Sequence, residues 1–132
     1  MIREDLREKR LFFDGGMGTL LQEKGLKAGE LPEIWNLEHS EEVISIHQAY
    51  IEAGSDIILT NALKFHDGVY SLEEITKTAV AHGKEAVRRS AGGRNVYVAL
   101  DVGPTGKLLK PMGDLAFEEA YEAFREVMQY GE

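Results

Sequence analysis

Cysteine is absent from this sequence, which removes a disulfide framework and a thiolate metal site from consideration and fits a reducing compartment. An excess of positive charge is missing too. Against 23 acidic residues stand 15 basic ones, for a formal net charge of -8, and the pI is near 5.0. A chain of that sign offers no broad attraction to nucleic acid or anionic membranes, and neither is expected as a partner. No run approaches the ~20 apolar residues that span a bilayer. The start, Met1-Ile2-Arg3-Glu4-Asp5, is charged where a secretory signal would be apolar. A cytoplasmic protein is the expectation. Internal repeats and low-complexity tracts are also lacking.

What is present is a 43% hydrophobic content over 132 residues, enough to bury the core of one ordinary domain. Three apolar runs organise it, and each ends on a polar residue. Leu11-Phe12-Phe13 stops at Asp14 and passes into Gly15-Gly16-Met17-Gly18-Thr19. Asp56-Ile57-Ile58-Leu59 stops at Thr60-Asn61, and Val96 to Leu100 stops at Asp101-Val102-Gly103-Pro104. Each run reads as a short buried strand. The glycines after Asp14 permit positive φ angles and close approach of backbone to a small polar ligand.

Helical patterns fill the intervals. A short helix is expected over Thr19 to Lys24, followed by a loop from Gly25 to Pro32. Ser40 reads as an N-cap, with Glu41 and Glu42 placed well against the helix dipole. Val43, Ile46, His47, Tyr50 and Ile51 then follow helical spacing until Gly54 ends the segment. Ser71-Leu72-Glu73-Glu74 is a capping box ahead of a helix that turns Ile75, Ala79, Ala86 and Val87 inward. Asp114 is positioned to cap a last helix, whose stripe of Phe117, Ala120, Tyr121, Phe124, Val127 and Met128 is expected to face the core. Strands alternating with helices imply an α/β fold with a parallel sheet, since a helical crossover returns the chain to start the next strand in the same direction.

In doubly wound sheets and in (β/α)₈ barrels alike, ligands bind at the C-terminal strand ends, where Asp14, Thr60, Asn61 and Asp101 fall. Pattern alone leaves both architectures open. Three strands do not close a barrel of about 250 residues, so sheet edges would stay open to pairing with a second copy of the chain. A Rossmann reading of Gly16-x-Gly18 fails, because Leu21 stands where the third glycine belongs. His39, His47, His66 and His82 lack the spacing of metal ligands, and structural or solvent roles suit them better. For Asp14 the alternative to a ligand role is a turn or capping aspartate; for Asp101 it is an Asx-type turn ahead of Gly103-Pro104.

Four segments in order carry a further likeness: Phe13 to Thr19, Pro32-Glu33-Ile34-Trp35-Asn36-Leu37, His47 to Asn61, and Asp101 to Gly106. Together they resemble the homocysteine S-methyltransferase family, and most closely the homocysteine-binding module of its cobalamin-dependent methionine synthase branch. The resemblance implies a (β/α)₈ TIM barrel of which residues 1–132 form an N-terminal fragment, about three β/α units. It implies methyl transfer to the homocysteine thiolate to make methionine, with cobalamin and methyltetrahydrofolate serving the parent enzyme. It also implies a zinc ion that activates the thiol. That zinc is held in the family by cysteines on later strands, and without cysteine the isolated chain is expected to be inactive, with no catalytic residue and no metal ligand of its own.

By the same resemblance, homocysteine would meet Asp14 as acceptor for its ammonium and the Gly15 and Gly16 backbone as donor to its carboxylate. Thr60, Asn61, Asp101 and Gly103 would complete the wall. The chain departs from the family pattern at one point. After Thr60-Asn61 the pattern continues with a segment like Thr-Phe-Gly-Ala-Asn before a stretch resembling Ala62-Leu63-Lys64-Phe65, whereas here Asn61 is joined directly to Ala62.

Overall fold

The structure is a computed structural model that describes residues 1–62 and 70–132. Residues 63–69, which include His66 and most of the Ala62-Leu63-Lys64-Phe65 stretch, lie outside the described residues. In chain order the elements are α1 (Ile2–Glu8), α2 (Gly18–Glu23), a 3₁₀ turn (Pro32–Ile34), α3 (Trp35–Glu38), α4 (Ser40–Glu52), β1 (Ile57–Leu59), α5 (Leu72–Ser90), β2 (Tyr97–Ala99) and α6 (Phe117–Tyr130). The two strands are parallel, with Ile57 beside Tyr97, Ile58 beside Val98 and Leu59 beside Ala99. This is an α/β fold with an open sheet, as in an incomplete barrel-like domain.

The first apolar run contributes only a bridge. Phe13 pairs with Ile57 in parallel, the Asp56 and Ile57 N–H groups donate to the Phe12 carbonyl at 2.8 and 3.1 Å, and the Asp14 N–H donates to the Ile57 carbonyl at 2.9 Å. Phe12 and Phe13 remain 64% and 59% exposed. With those rings largely uncovered by the described residues, the backbone pairs at one point and does not run on as a strand. The other two strands are likewise shorter than the apolar runs that announce them.

The core lies between the helices and the sheet. Leu21, Leu26, Trp35, Val43 and Ile46 form one cluster; Ile44, Ile51, Ile58 and Ala86 form another, and Tyr50 packs against both. Helix α5 lies close to β2 because position 83 has no side chain: a Cβ there would sit 2.7 Å from Val98 Cγ1. The expected capping box holds, with the Glu74 N–H donating to Ser71 Oγ at 3.1 Å and the Ser71 N–H donating to Glu74 Oε2 at 3.0 Å. Arg89 reaches across from α5 to Glu41 on α4 at 2.8 Å.

Several local expectations need correction. Ser40 is not an N-cap. Helix α3 runs almost directly into α4, so Ser40 is already in the first turn and its hydroxyl donates to the Asn36 carbonyl at 3.0 Å. Asp114 does not cap α6; the helix starts after Ala116, whose N–H donates to Glu119 Oε2 at 3.0 Å. Only two of the six residues of the α6 stripe are buried. Ala120 and Val127 are covered, while Phe117, Tyr121, Phe124 and Met128 are exposed, because the open sheet supplies no layer over that face. Helix α1 was not foreseen, since it buries none of its residues and so has no apolar period to read. It is tied to the sheet by the Tyr97 hydroxyl, which donates to Asp5 Oδ2 at 2.6 Å.

Candidate functional site

The ends of the strands are laced together by polar groups. Asp14 turns its side chain along the end of β1, where Oδ2 accepts from the Leu59 N–H at 3.0 Å. The Thr60 N–H donates to the Ala99 carbonyl at 2.9 Å, and Thr60 Oγ1 accepts from the Asp101 N–H at 2.9 Å. These bonds fix Asp14, Thr60 and Asp101 side by side at one rim. One carboxylate oxygen of Asp14 therefore has the structural use of a turn aspartate, but the other does not: Oδ1 is shut off from solvent without a hydrogen-bond partner. Burial pushes the Asp14 carboxyl above its ordinary value, and the nearby Asp101 charge adds to this. Burial raises Asp101 as well.

A second wall comes from the 3₁₀ turn and α3. Asn61 Nδ2 donates to the Pro32 carbonyl at 2.7 Å, and Asn36 Nδ2 donates to the Asn61 carbonyl at 2.6 Å. This draws Glu33 inward until it is 1% exposed, with Oε2 left unpartnered. Below the glycines, the Tyr50 hydroxyl donates to the Gly16 carbonyl at 2.8 Å. Gly15 is needed for space, as a Cβ there would lie 2.8 Å from Tyr50 Oη. Gly15, Gly16 and Gly18 do not adopt the positive φ that the sequence permits; close approach is the use of Gly15 alone, since a Cβ at Gly18 would meet nothing within 4 Å.

The cavity bounded by these walls has a volume of about 370 Å³ and is lined by Asp14, Gly15, Gly16, Thr60, Asn61 and Asp101, together with Glu33. The structure thus gathers six of the seven candidate residues at one place. Gly103 is buried nearby in sequence but does not line the cavity. Sequence reading missed Glu33 as a site residue. The signal available was an acidic residue between Pro32 and an apolar Ile34-Trp35 pair, a place where a solvated glutamate has no reason to be.

The zinc implied by the resemblance does not fit these residues. The chain has no cysteine, and among the described residues no three His, Asp or Glu side chains are grouped to hold a metal ion. Nor is any described helix long and apolar enough to cross a membrane.

A family model described as Homocysteine S-methyltransferase matches residues 11–131, nearly the whole chain. The chain belongs to the homocysteine S-methyltransferase family. The metallated form of the homocysteine methyltransferase MmuM from Escherichia coli aligns with a TM-score of 0.76 at 19% identity, over 98% of this chain and 52% of that one. Its apo form aligns with a TM-score of 0.71 at 20% identity, over 96% and 47%. The chain spans about half the length of these two structures. At such identities the likeness is one of fold.

Proposed function

We propose that this chain supplies the amino-acid end of a homocysteine site in a homocysteine S-methyltransferase that makes methionine. The observation that carries the reading is the unpartnered Asp14 carboxylate oxygen beside the Gly15-Gly16 backbone, in a cavity at the C-terminal strand ends. Asp14 accepts from the ligand's ammonium, the glycine N–H groups donate to its carboxylate, and Thr60, Asn61 and Asp101 form the remaining wall. In the overall reaction the homocysteine sulfur bonds to a methyl carbon, the bond from that carbon to its donor breaks, and the thiol proton is lost. The residues of this chain bind and orient; no activation of the thiol is assigned to them, and none is routed through zinc. Likeness of Asp14–Thr19 and Asp101–Gly106 to the cobalamin-dependent branch supports methionine synthase as the parent, with methyltetrahydrofolate charging cobalamin, in the cytoplasm.

Calorimetric titration with homocysteine, with and without zinc, tests the reading. Weak millimolar binding that zinc leaves unchanged is the expected result. No binding at tens of millimolar homocysteine, or binding that appears only with zinc, would overturn it.

A second reading is favoured by the exposed rings of Phe12 and Phe13 at one end of the sheet and of Phe117 and Tyr121 on α6, beside a groove of about 440 Å³. In this reading the chain is a non-catalytic half-barrel that pairs its open edges with a second copy. Sedimentation velocity decides it: a monomer at high micromolar concentration would exclude this association.

A further inference from the structure

We propose that Glu33 is a second carboxylate arm for the ligand's ammonium group and sets the preference of the cavity for amino-bearing ligands. The inference rests on the amino-acid reading of the cavity given above and adds a residue to it. Glu33 lines the cavity, is 1% exposed, and leaves Oε2 sealed from solvent with nothing to accept from. A carboxyl group buried in this way is costly, and a donor entering the cavity removes that cost. The charge pattern says which donor. Asp14, Glu33 and Asp101 all line the cavity, and among the described residues no Lys, Arg or His lines it. The site therefore asks for a cation.

A metal ion is the wrong cation for it, because no three acidic or imidazole side chains among the described residues are grouped as ligands. A primary ammonium suits it better: two carboxylates and one further acceptor satisfy its three N–H donors, whereas a metal ion needs a fuller shell of converging ligands. Position 33 is also held firmly. Asn61 Nδ2 binds the carbonyl of Pro32, the residue just before it, at 2.7 Å, so the carboxylate is presented by a fixed turn and not by a free loop.

The test is a titration of the full chain, labelled with ¹³C and ¹⁵N, with homocysteine, with 4-mercaptobutyrate, which lacks the amino group, and with n-butylammonium. Homocysteine should move the Glu33 carboxyl carbon saturably and bind at least about tenfold more tightly than 4-mercaptobutyrate. Glu33→Gln should erase most of that preference and leave 4-mercaptobutyrate binding nearly unchanged. An unmoved Glu33 carbon in the unsubstituted chain, which needs no variant to fold, would overturn the assignment, as would full preference retained in E33Q. The two readings separate cleanly. Homocysteine binding with Glu33 silent sinks this assignment alone; n-butylammonium moving Glu33 while homocysteine fails to bind sinks the homocysteine reading alone; no binding of any of the three sinks both.

Discussion

Asn36 and Asn61 bind each other in both directions: Asn36 Nδ2 donates to the Asn61 carbonyl at 2.6 Å, and Asn61 Nδ2 donates to Asn36 Oδ1 at 3.2 Å. Both side chains are buried, at 0% and 5% exposure, so water does not replace a lost partner. Replacing Asn36 by Ala leaves the Asn61 carbonyl and amide short of partners, and we expect a loss of about 1–3 kcal/mol in unfolding free energy. The Asn61→Ala change should cost a similar amount. Because the two act as one unit, the double variant should lose less than the sum. Strict additivity in urea unfolding would show that the pair does not couple α3 to the end of β1.

Gly15 and Tyr50 are coupled by space. A Cβ at position 15 would meet Tyr50 Oη at 2.8 Å, and that hydroxyl is already committed to the Gly16 carbonyl. Gly15→Ala should cost about 1–3 kcal/mol. In a Tyr50→Phe background the added cost should shrink, since the closest atom is gone. Equal costs of Gly15→Ala in the two backgrounds, measured by thermal unfolding, would contradict this.

Asp14 sets stability against binding. Its Oδ1 is buried without a partner and its carboxyl is raised by burial, while an amide oxygen at the same place keeps the bond from the Leu59 N–H. Asp14→Asn should therefore unfold at the same temperature or higher and lose its response to homocysteine. A variant that is both clearly destabilised and still responsive would be the opposite of what this account expects. In the unsubstituted chain, homocysteine should bind more tightly as pH rises through the raised Asp14 value, because the ionised carboxylate is the better acceptor.

The fold was legible from the sequence where a face repeats. The α4 and α5 periods, the Ser71 capping box and the parallel order of strands all follow from residue pattern, and so do the polar strand ends at Asp14, Thr60 and Asp101. Where tertiary contacts decide, the pattern was silent or misleading. Nothing local tells that Phe12 and Phe13 stay largely exposed, that a short helix from Trp35 leads almost directly into the one that Ser40 begins, or that Tyr121 stays in solvent. Glu33 was hidden for the same reason, since its burial depends on hydrogen bonds between Asn61 and Pro32, far apart in the chain.

His47 gives the stability a sign with pH. It is fully buried on α4 with both ring nitrogens unpartnered, and burial, with His82 nearby, holds its pKa down at about 4 against an ordinary 6.5. The folded chain keeps the ring neutral while the unfolded chain takes up a proton. Stability from this group is complete above about 6.5, declines as pH falls toward about 4, and is level below that. The decline amounts to about 3 kcal/mol. His82, also lowered by burial, acts in the same sense, whereas the raised Asp14 and Asp101 act against it at lower pH. Urea midpoints followed through this window should fall in the unsubstituted chain and fall less in His47→Leu. A parallel fall in both would assign the effect elsewhere.

The most direct test of the central claim is a map of backbone amide shifts in the ¹⁵N-labelled chain as homocysteine is added. Saturable shifts centred on Gly15, Gly16, Thr60, Asn61 and Asp101 are the predicted result. Shifts confined to α6, or none at the strand ends at tens of millimolar ligand, would contradict it.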